Sequence, residues 1–196
     1  MATDAGAEPS PLDAFESLAR SRRSSLLIDQ SRPVDPALVR RLCALITWAP
    51  NHKRTWPWQV AVFTGDARLA LGNAFADDQT DAGEQDLVRI EKARRKYGRA
   101  PVCIVVGSRD EEGDSAERSG ENRDAAAAGI QNLLLGAAAA GLASLWSTPP
   151  GRHGRRTLEL CGFAPTTQLV GVVYLGWPSD TVDAPERPPL HLSERS

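Results

Sequence analysis

The sequence RDAAAAGIQNLLLGAAAAGLASLWSTP, residues 123–149, contains an almost unbroken run of small and aliphatic side chains. The run extends from Ala125 to Ala140, and its only polar members are the amides Gln131 and Asn132. A helix that is apolar on every side is typically a buried helix. Its many alanines would also let other backbone segments approach closely. We therefore predict that this run forms the central helix of the core.

The central helix is predicted to end at Gly141, because glycine is the residue most often found just beyond a helix C-terminus. Residues Leu142–Trp146 then read as a short strand that runs into the core. Trp146, Ser147 and Thr148 stand where that strand ends, and ligands often bind at strand ends. At about 16 residues, with two glycines and two amides, the apolar run is short for a membrane span.

The bulk properties are those of a water-soluble protein of one domain, with 196 residues, 41% of them hydrophobic and 24% charged. A formal net charge of -2 gives no basic excess, so we expect no nucleic-acid partner, and the short apolar run predicts no membrane partner. The three cysteines are far apart, and the acidic N-terminus lacks the apolar segment of a signal peptide. These features favour the reducing cytoplasm.

Hydrophobic periodicity and turn residues divide the rest of the chain into helices, strands and loops. The predicted helices are Leu12–Arg20, Pro36 to about Trp48, Ala67–Ala76, Asp86–Tyr97 and Gly151–Leu160. The further predicted strands are Gln59–Thr64, Ala100–Gly107 and Gln168–Gly176. The predicted loops are Ala49–Trp58, Asp77–Gln85 and the charged, flexible connection Ser108–Asn122.

This order predicts an α+β fold of three layers, in which helices cover both faces of a sheet of about four strands. Residues 12–178 would form the single domain, preceded by a disordered lead-in over 1–11 and followed by a proline-rich tail over 179–196. Because four strands are few for such a sheet, we expect a partner chain to complete the sheet or to cover an exposed helix.

The sequence lacks the patterns of several common metal-binding, catalytic and nucleotide-binding sites. The three histidines show no metal-ligand spacing and no adjacent carboxylate cluster, so we predict no metal site. No GxSxG motif is present, and no cysteine has activating neighbours. The nucleotide-binding patterns GxGxxG and GxxxxGK(S/T) are also absent.

Three polar clusters remain as candidate sites. Arg22, Arg23 and Ser24 follow the first helix, and two guanidinium groups with a hydroxyl suit a phosphate, although a solvated arginine pair is the alternative. The loop Pro50–Trp58 holds two tryptophans, a histidine and two cations, and it is alternatively a loop anchored in the core by a tryptophan. The strand end Trp146–Thr148 is alternatively an ordinary strand end.

Over about residues 17–187 the chain resembles the nitroreductase family of FMN-dependent flavoproteins. Four features carry the resemblance, and their order and spacing make it specific although no single motif is diagnostic. They are Arg22-Arg23-Ser24, Ala49-Pro50-Asn51-His52-Lys53 followed by Trp56-Pro57-Trp58, the central helix with Gly141-Leu142, and Leu175-Gly176-Trp177-Pro178. The second feature is most similar to the small, minimal nitroreductases.

The resemblance implies a mostly antiparallel sheet and a homodimer that binds FMN at its interface, where the central helix would be buried. The implied FMN contacts come from four parts of the chain. They are Arg22, Arg23 and Ser24 at the phosphate and ribityl chain; Arg187 at the phosphate; Pro50, Asn51 and His52 from the partner subunit; and Trp146, Ser147 and Thr148 along the isoalloxazine ring.

The implied activity is electron transfer from NADH or NADPH to an electron-poor small acceptor, such as a nitroaromatic or a quinone, in a ping-pong cycle. The flavin N5 carries this chemistry, and the protein supplies placement and electrostatics. No catalytic side chain is therefore expected, which agrees with the missing acid–base dyad.

Two residues depart from the family pattern. Leu26 stands where larger members carry a cation that would stabilise the reduced flavin, and Lys53 or Arg54 are candidates to replace it. Trp56 stands where the family usually has glutamine. These departures leave open an FMN-binding module without turnover, for storage or sensing, and a cofactor-free helical interaction protein. Whether Asp77–Tyr97 forms a lid is also open.

Overall fold

The computed structural model describes residues 9–195, so residues 1–8 of the predicted lead-in and Ser196 lie outside the described residues. The helices are α1 (Pro11–Ser21), α2 (Pro36–Ala44), α3 (Ala67–Asp81), α4 (Leu87–Lys96), α5 (Ala116–Ala139) and α6 (Arg155–Cys161). The strands are β1 (Trp58–Thr64), β2 (Val102–Arg109), β3 (Ala143–Ser147) and β4 (Thr167–Gly176). Short 3-10 helices cover Leu45–Trp48, His52–Arg54 and Tyr97–Arg99.

The four strands form one antiparallel sheet in the order β1-β2-β4-β3. The central strands β2 and β4 are buried along almost their whole length, as their continuous apolar sequences predict. β1 and β3 are the two edge strands, and each carries part of the predicted site at one end. The predicted α+β fold with an antiparallel sheet is therefore confirmed.

Helices cover both faces of the sheet, which gives the predicted three layers. On one face, α2 and α5 bury a cluster that includes Leu42, Ile130 and Val173. On the other face, α3, α6 and the Tyr97–Arg99 turn bury a second cluster that includes Phe75 and Tyr174. The central strands β2 and β4 therefore contribute apolar side chains to both clusters, because successive side chains of a strand point to opposite faces.

α5 packs closely against the 3-10 helix Leu45–Trp48. A Cβ atom on Gly129 would lie 2.7 Å from Ile46 Cγ2 and 2.8 Å from the Ile46 carbonyl oxygen. The side-chain amide of Asn132 donates to the Leu45 carbonyl oxygen at 3.2 Å, which adds a hydrogen bond between α5 and the backbone of this short helix. The small residues of this helix therefore serve close backbone contact, as the sequence predicts.

The predicted end of α5 is confirmed. Gly141 has a φ of 73°, the Leu142 amide donates to the Ala137 carbonyl oxygen at 2.9 Å, and the Gly141 amide donates to the Ala138 oxygen at 3.0 Å. These two bonds form the Schellman motif, which favours glycine because of its left-handed conformation. Within a single chain the helix is buried on one side, and Gln131 on its other side is exposed.

The predicted flexible connection Ser108–Asn122 is wrong over most of its length. β2 continues to Arg109, and α5 begins at Ala116 after Ser115, whose hydroxyl accepts a hydrogen bond from the Arg118 amide at 3.2 Å. The charged residues of this segment form an outer helix face, whereas Asn122 points inward and is buried. A charged sequence therefore extends the apolar helix by about two turns.

Two further boundaries differ from the prediction, and a contact between two helices explains the second. α3 continues to Asp81 through the predicted loop, and α6 begins at Arg155 instead of Gly151. The carboxylate of Asp78 on α3 accepts hydrogen bonds from the Arg156 and Thr157 amides, both at 2.9 Å, and from the Thr157 hydroxyl at 2.6 Å. A side chain from a distant helix thus caps α6, and local sequence does not reveal such a contact.

Replacing Gly129 with alanine should destabilise the protein by about 1–3 kcal/mol, because the new methyl group would overlap the Ile46 backbone. Gly120 on the same helix has open space around it, so Gly120→Ala should stabilise the fold by about 0.5–1 kcal/mol. Urea denaturation measures both changes. Equal stability of the two variants would contradict the close approach of α5 to residues 45–48.

Candidate functional site

The Arg22-Arg23-Ser24 segment leaves α1 in an extended conformation and joins the edge of the sheet. Ser24 forms an isolated parallel bridge with Ser144 of β3, and the Ser25 amide donates to the Ser144 carbonyl oxygen at 3.0 Å. Because β3 is an edge strand, its outer backbone groups are free to make these bonds. The two arginines are therefore held beside the edge of the sheet.

Arg187 of the C-terminal tail comes to the same place. It lines a cavity of about 310 Å³ together with Arg22, Arg23, Ser24 and the carboxylate residue Asp183. The pKa of Arg22 is lowered, first by its partial burial and then by the positive charges of Arg187 and Arg23. Guanidinium groups that converge in this way repel one another, and an anion bound among them would relieve the repulsion.

Arg23 has a buried donor without a partner. Its Nη1 donates to the carbonyl oxygens of Arg20 at 2.5 Å and Arg22 at 2.8 Å. Its Nε is buried and has no hydrogen-bond partner among residues 9–195. An unsatisfied buried donor costs about 1–3 kcal/mol, and more on a charged group. The arginine cluster thus fits an anion with several acceptor oxygens, such as the phosphate of FMN.

The strand end Trp146–Thr148 lies along β3, the strand that binds the arginine segment. The indole of Trp146 covers Gly171 of β4, where a Cβ atom would lie 2.0 Å from the indole Nε1. A side chain at position 171 would therefore displace the tryptophan. Trp146 remains 39% exposed, so part of the indole is accessible to a ligand.

Sequence reasoning missed Lys96, which contacts this strand end. The Lys96 ammonium donates to the Ser147 hydroxyl, with 2.8 Å between Nζ and Oγ. Lys96 is the last residue of α4, a mixed-charge helix that was predicted to lie on the surface. The contact could not be predicted from the sequence, because it depends on how the fold places the end of α4 beside the end of β3.

The loop that contains Pro50, Asn51 and His52 is held at the other end of α5. The Asn51 side chain accepts from the Trp56 amide at 2.9 Å and donates to the Thr55 hydroxyl at 3.0 Å. The Thr55 hydroxyl donates to the Asn122 side-chain oxygen at 2.5 Å. These bonds fix the loop in one conformation although Trp56 and two of its neighbours have positive φ angles.

His52 extends the contact between this loop and α5. Its Nδ1 lies 2.7 Å from Glu121 Oε1, and the imidazole remains largely exposed. Pro50 is also exposed. The three predicted residues therefore lie on a surface loop that is held in place by its contacts with α5.

The structure keeps the two halves of the predicted site apart within one chain. Asn122, which holds the loop, and Ala138, which lines a cavity with Arg22, are separated by about 24 Å along the helix axis. β1 and β3 are opposite edges of the sheet, at three strand spacings or about 14 Å. Arg22, Arg23, Ser24, Arg187 and the Trp146–Thr148 strand end form one group, and Pro50, Asn51 and His52 form the other.

Residues 9–195 contain neither a membrane-spanning helix nor a metal-ligand cluster. No helix in this range is long and apolar enough to cross a membrane. The same range contains no group of three or more histidine, cysteine, aspartate or glutamate side chains arranged to hold a metal ion.

These features define an α+β protein with a cluster of arginine residues at the edge of its sheet, beside β3. The sequence model of the nitroreductase family matches residues 19–177. This chain therefore belongs to the nitroreductase family, and the predicted family is confirmed.

Three known proteins illustrate the similarity. YdjA of Escherichia coli K12, provisionally named an NAD(P)H nitroreductase, is 29% identical over 183 residues, which are 91% of this chain and 98% of YdjA. A crystal structure of a nitroreductase-like protein from Bacillus cereus has a TM-score of 0.75 and 22% identity, and the match covers 96% of this chain and 94% of that one. A provisionally named nitroreductase from Desulfovibrio desulfuricans, crystallised with FMN, has a TM-score of 0.68 and 22% identity over 92% of this chain and 94% of that one.

Replacing Asn122 with alanine should loosen the Pro50–Trp56 loop and destabilise the protein by about 1–3 kcal/mol. The change leaves the Thr55 hydroxyl and the Asp110 carboxylate without their buried partner. Hydrogen exchange of the loop amides and urea denaturation measure the two effects. Gln131→Ala, at an exposed position of the same helix, should change neither; unchanged exchange in Asn122→Ala would show that the loop is held by other contacts.

Proposed function

We propose that this protein passes electrons from NADH or NADPH, through bound FMN, to an electron-poor small acceptor such as a nitroaromatic or a quinone, in a ping-pong cycle. As a member of the nitroreductase family the protein is an oxidoreductase, as predicted. The relatives named above support FMN and NAD(P)H as its cofactors. The observation that carries the proposal is the convergence of Arg22, Arg23 and Arg187, with a buried and unsatisfied Nε, beside the aromatic strand end.

FMN supplies the redox chemistry when it is bound, and the residues of this chain bind and orient it. Arg22, Arg23 and Arg187 would hold the phosphate through charge-assisted hydrogen bonds, with the Ser24 hydroxyl as a further donor. The strand end Trp146, Ser147 and Thr148 would line the ring. No proton donor or acceptor of the protein is assigned a step in this proposal.

A second copy of the chain would complete the site with Pro50, Asn51 and His52. Support comes from the separation of the two groups within one chain and from apolar side chains that a partner would cover. Trp48 is 82% exposed directly before the loop, and Phe15 is exposed on α1 near the arginines. In a homodimer with two-fold symmetry, the loop of each copy would reach the arginine group of the other.

A binding module without turnover is the second candidate, because Leu26 packs among apolar residues and places no cation there. The deciding experiment adds FMN to the purified protein and then NADH or NADPH under anaerobic conditions. We expect a flavin spectrum that bleaches with at least one of the two reductants. Stable binding without bleaching by either would favour the module. A colourless protein that takes up no FMN would favour the helical interaction protein and contradict the proposal.

Replacing Arg22, Arg23 or Arg187 with alanine should weaken FMN binding by roughly 10- to 100-fold each, because each change removes charge-assisted bonds to the phosphate. Titration followed by flavin fluorescence gives the dissociation constants. Arg20 is the matched control, since it is 81% exposed and pairs with Glu16 one turn away. Arg20→Ala should bind FMN as the wild type does. Wild-type affinity in Arg187→Ala would remove the tail from the site.

Mixing two defective variants tests whether the site is shared between subunits. The double variants Arg22→Ala/Arg23→Ala and Asn51→Ala/His52→Ala should each bind FMN weakly. Coexpressed, they should form mixed dimers that contain one intact site, so about one quarter of all sites should regain wild-type affinity. Mixed dimers that recover no site, or full binding by Asn51→Ala/His52→Ala alone, would show that the loop does not contribute to the partner's site.

A further inference from the structure

The turn between Asn51 and Pro57 has an unusual backbone. Lys53, Arg54 and Trp56 have φ angles of 59°, 55° and 50°, and they are the non-glycine residues with positive φ among the described residues. Bulky side chains rarely adopt this left-handed region, because their Cβ atom then lies too close to the following carbonyl oxygen. Such strain persists only where surrounding contacts fix the backbone, and it is typical of ligand-binding segments.

The contacts that fix this turn lie on both sides of Trp56. Its backbone amide donates to the Asn51 side-chain oxygen at 2.9 Å, and the carbonyl oxygen of the next residue accepts from the Arg109 amide at 2.8 Å. Two residues further on, the indole Nε1 of Trp58 donates to the Ala125 carbonyl oxygen at 3.2 Å. The backbone of Trp56 is therefore held in its strained conformation from both directions.

The side chain of Trp56, in contrast, is packed on one side only. Its ring centroid lies 5.6 Å from that of Trp58, at an interplanar angle of 46°, which is a favourable tilted arrangement of aromatic rings. Trp56 nevertheless remains 58% exposed. Because Trp58 already anchors the turn to α5, core packing does not require a second tryptophan here. A fixed, strained backbone that carries an exposed ring indicates a side chain presented to a ligand.

The position of the turn indicates which ligand the ring would meet. Asn51 is bonded directly to the Trp56 amide, so Trp56 would enter the partner subunit's site together with Pro50, Asn51 and His52. The acceptors proposed for that site are flat and electron-poor. An indole is flat and electron-rich, and offset stacking of aromatic rings adds to the binding that burial provides.

We propose that Trp56 determines acceptor specificity by stacking against planar, electron-poor acceptors bound at the partner subunit's flavin. This inference rests on the proposed function and on its site shared between two subunits. Trp56 takes no part in the electron transfer itself. It adds affinity for acceptors that have a flat ring and none for acceptors that lack one.

The test compares planar and non-planar acceptors, using holoprotein supplied with whichever of NADH or NADPH reduces its flavin. The planar acceptors are 1,4-naphthoquinone and 1,3-dinitrobenzene, and octahedral ferricyanide is the non-planar one. Trp56→Gln and Trp56→Leu should raise KM for both planar acceptors roughly tenfold at unchanged kcat, because they remove binding and not chemistry. Their kcat/KM for ferricyanide should stay within about twofold of the wild type. Trp56→Phe keeps a ring and should stay within about threefold for every acceptor.

Trp56→Gly separates the role of the side chain from that of the backbone, because glycine readily adopts the left-handed region. It should unfold at a urea concentration no lower than that of the wild type, and it should lose affinity for planar acceptors as Trp56→Gln does. Leu69→Gln is the matched control, since Leu69 on α3 is an apolar side chain of similar exposure, 55%. It should leave all three KM values unchanged.

Unchanged KM values for the planar acceptors in Trp56→Gln and Trp56→Leu would overturn the assignment. An equal loss with ferricyanide, dissociation of these variants to monomers in light scattering, or a marked loss of stability in Trp56→Gly would also overturn it. Each of those results would assign Trp56 to the dimer interface or to folding. Wild-type protein that is monomeric or binds no FMN would contradict the proposed function and its shared site, so the two failures are distinguishable.

Discussion

The close contact between α5 and residues 45–48 is the constraint on which the arrangement of this protein depends. Gly129 leaves no space for a side chain there, and Asn132 bonds to the backbone of the opposing segment. Because the contact fixes α5 against one face of the sheet, it also fixes what lies at the two ends of the helix. The Pro50–Trp56 loop lies at one end, and the arginine cluster lies at the other.

The length of α5 then explains why one chain holds only parts of the proposed site. A helix of 24 residues spans about 36 Å, which exceeds the length of an FMN molecule. In the proposed homodimer, a second α5 that runs antiparallel to the first would bring groups from opposite ends of the helix together on one cofactor. The apolar sequence of α5, buried on one side by its own chain, leaves a second side of small residues for such a neighbour.

Sequence analysis succeeded where the deciding interactions are local. The apolar runs of β2 and β4 and the glycine after α5 all act within a few residues. It failed where a side chain acts on a distant element. The Asp78 carboxylate sets the start of α6, and local sequence cannot reveal a cap supplied by another helix.

The same distinction applies to the candidate site. Arg22, Arg23 and Ser24 are adjacent in sequence and suit a phosphate by composition alone. Arg187 was predicted only through the family resemblance, and the structure brings it beside Arg22. Lys96 had neither advantage, because its contact with Ser147 at the end of β3 joins residues that are far apart in sequence.

Local charge, and not the net charge of -2, decides what kind of ligand this protein attracts. Surface arginines such as Arg155 and Arg156 have carboxylate partners that cancel most of their field. Arg22, Arg23, Arg187 and Lys96 have no such ion pair among the described residues, and they lie along one edge of the sheet. Nearby unpaired cations in partly buried positions create a field that solvent screens weakly. An anionic ligand is therefore favoured at this edge even though the chain as a whole is slightly acidic.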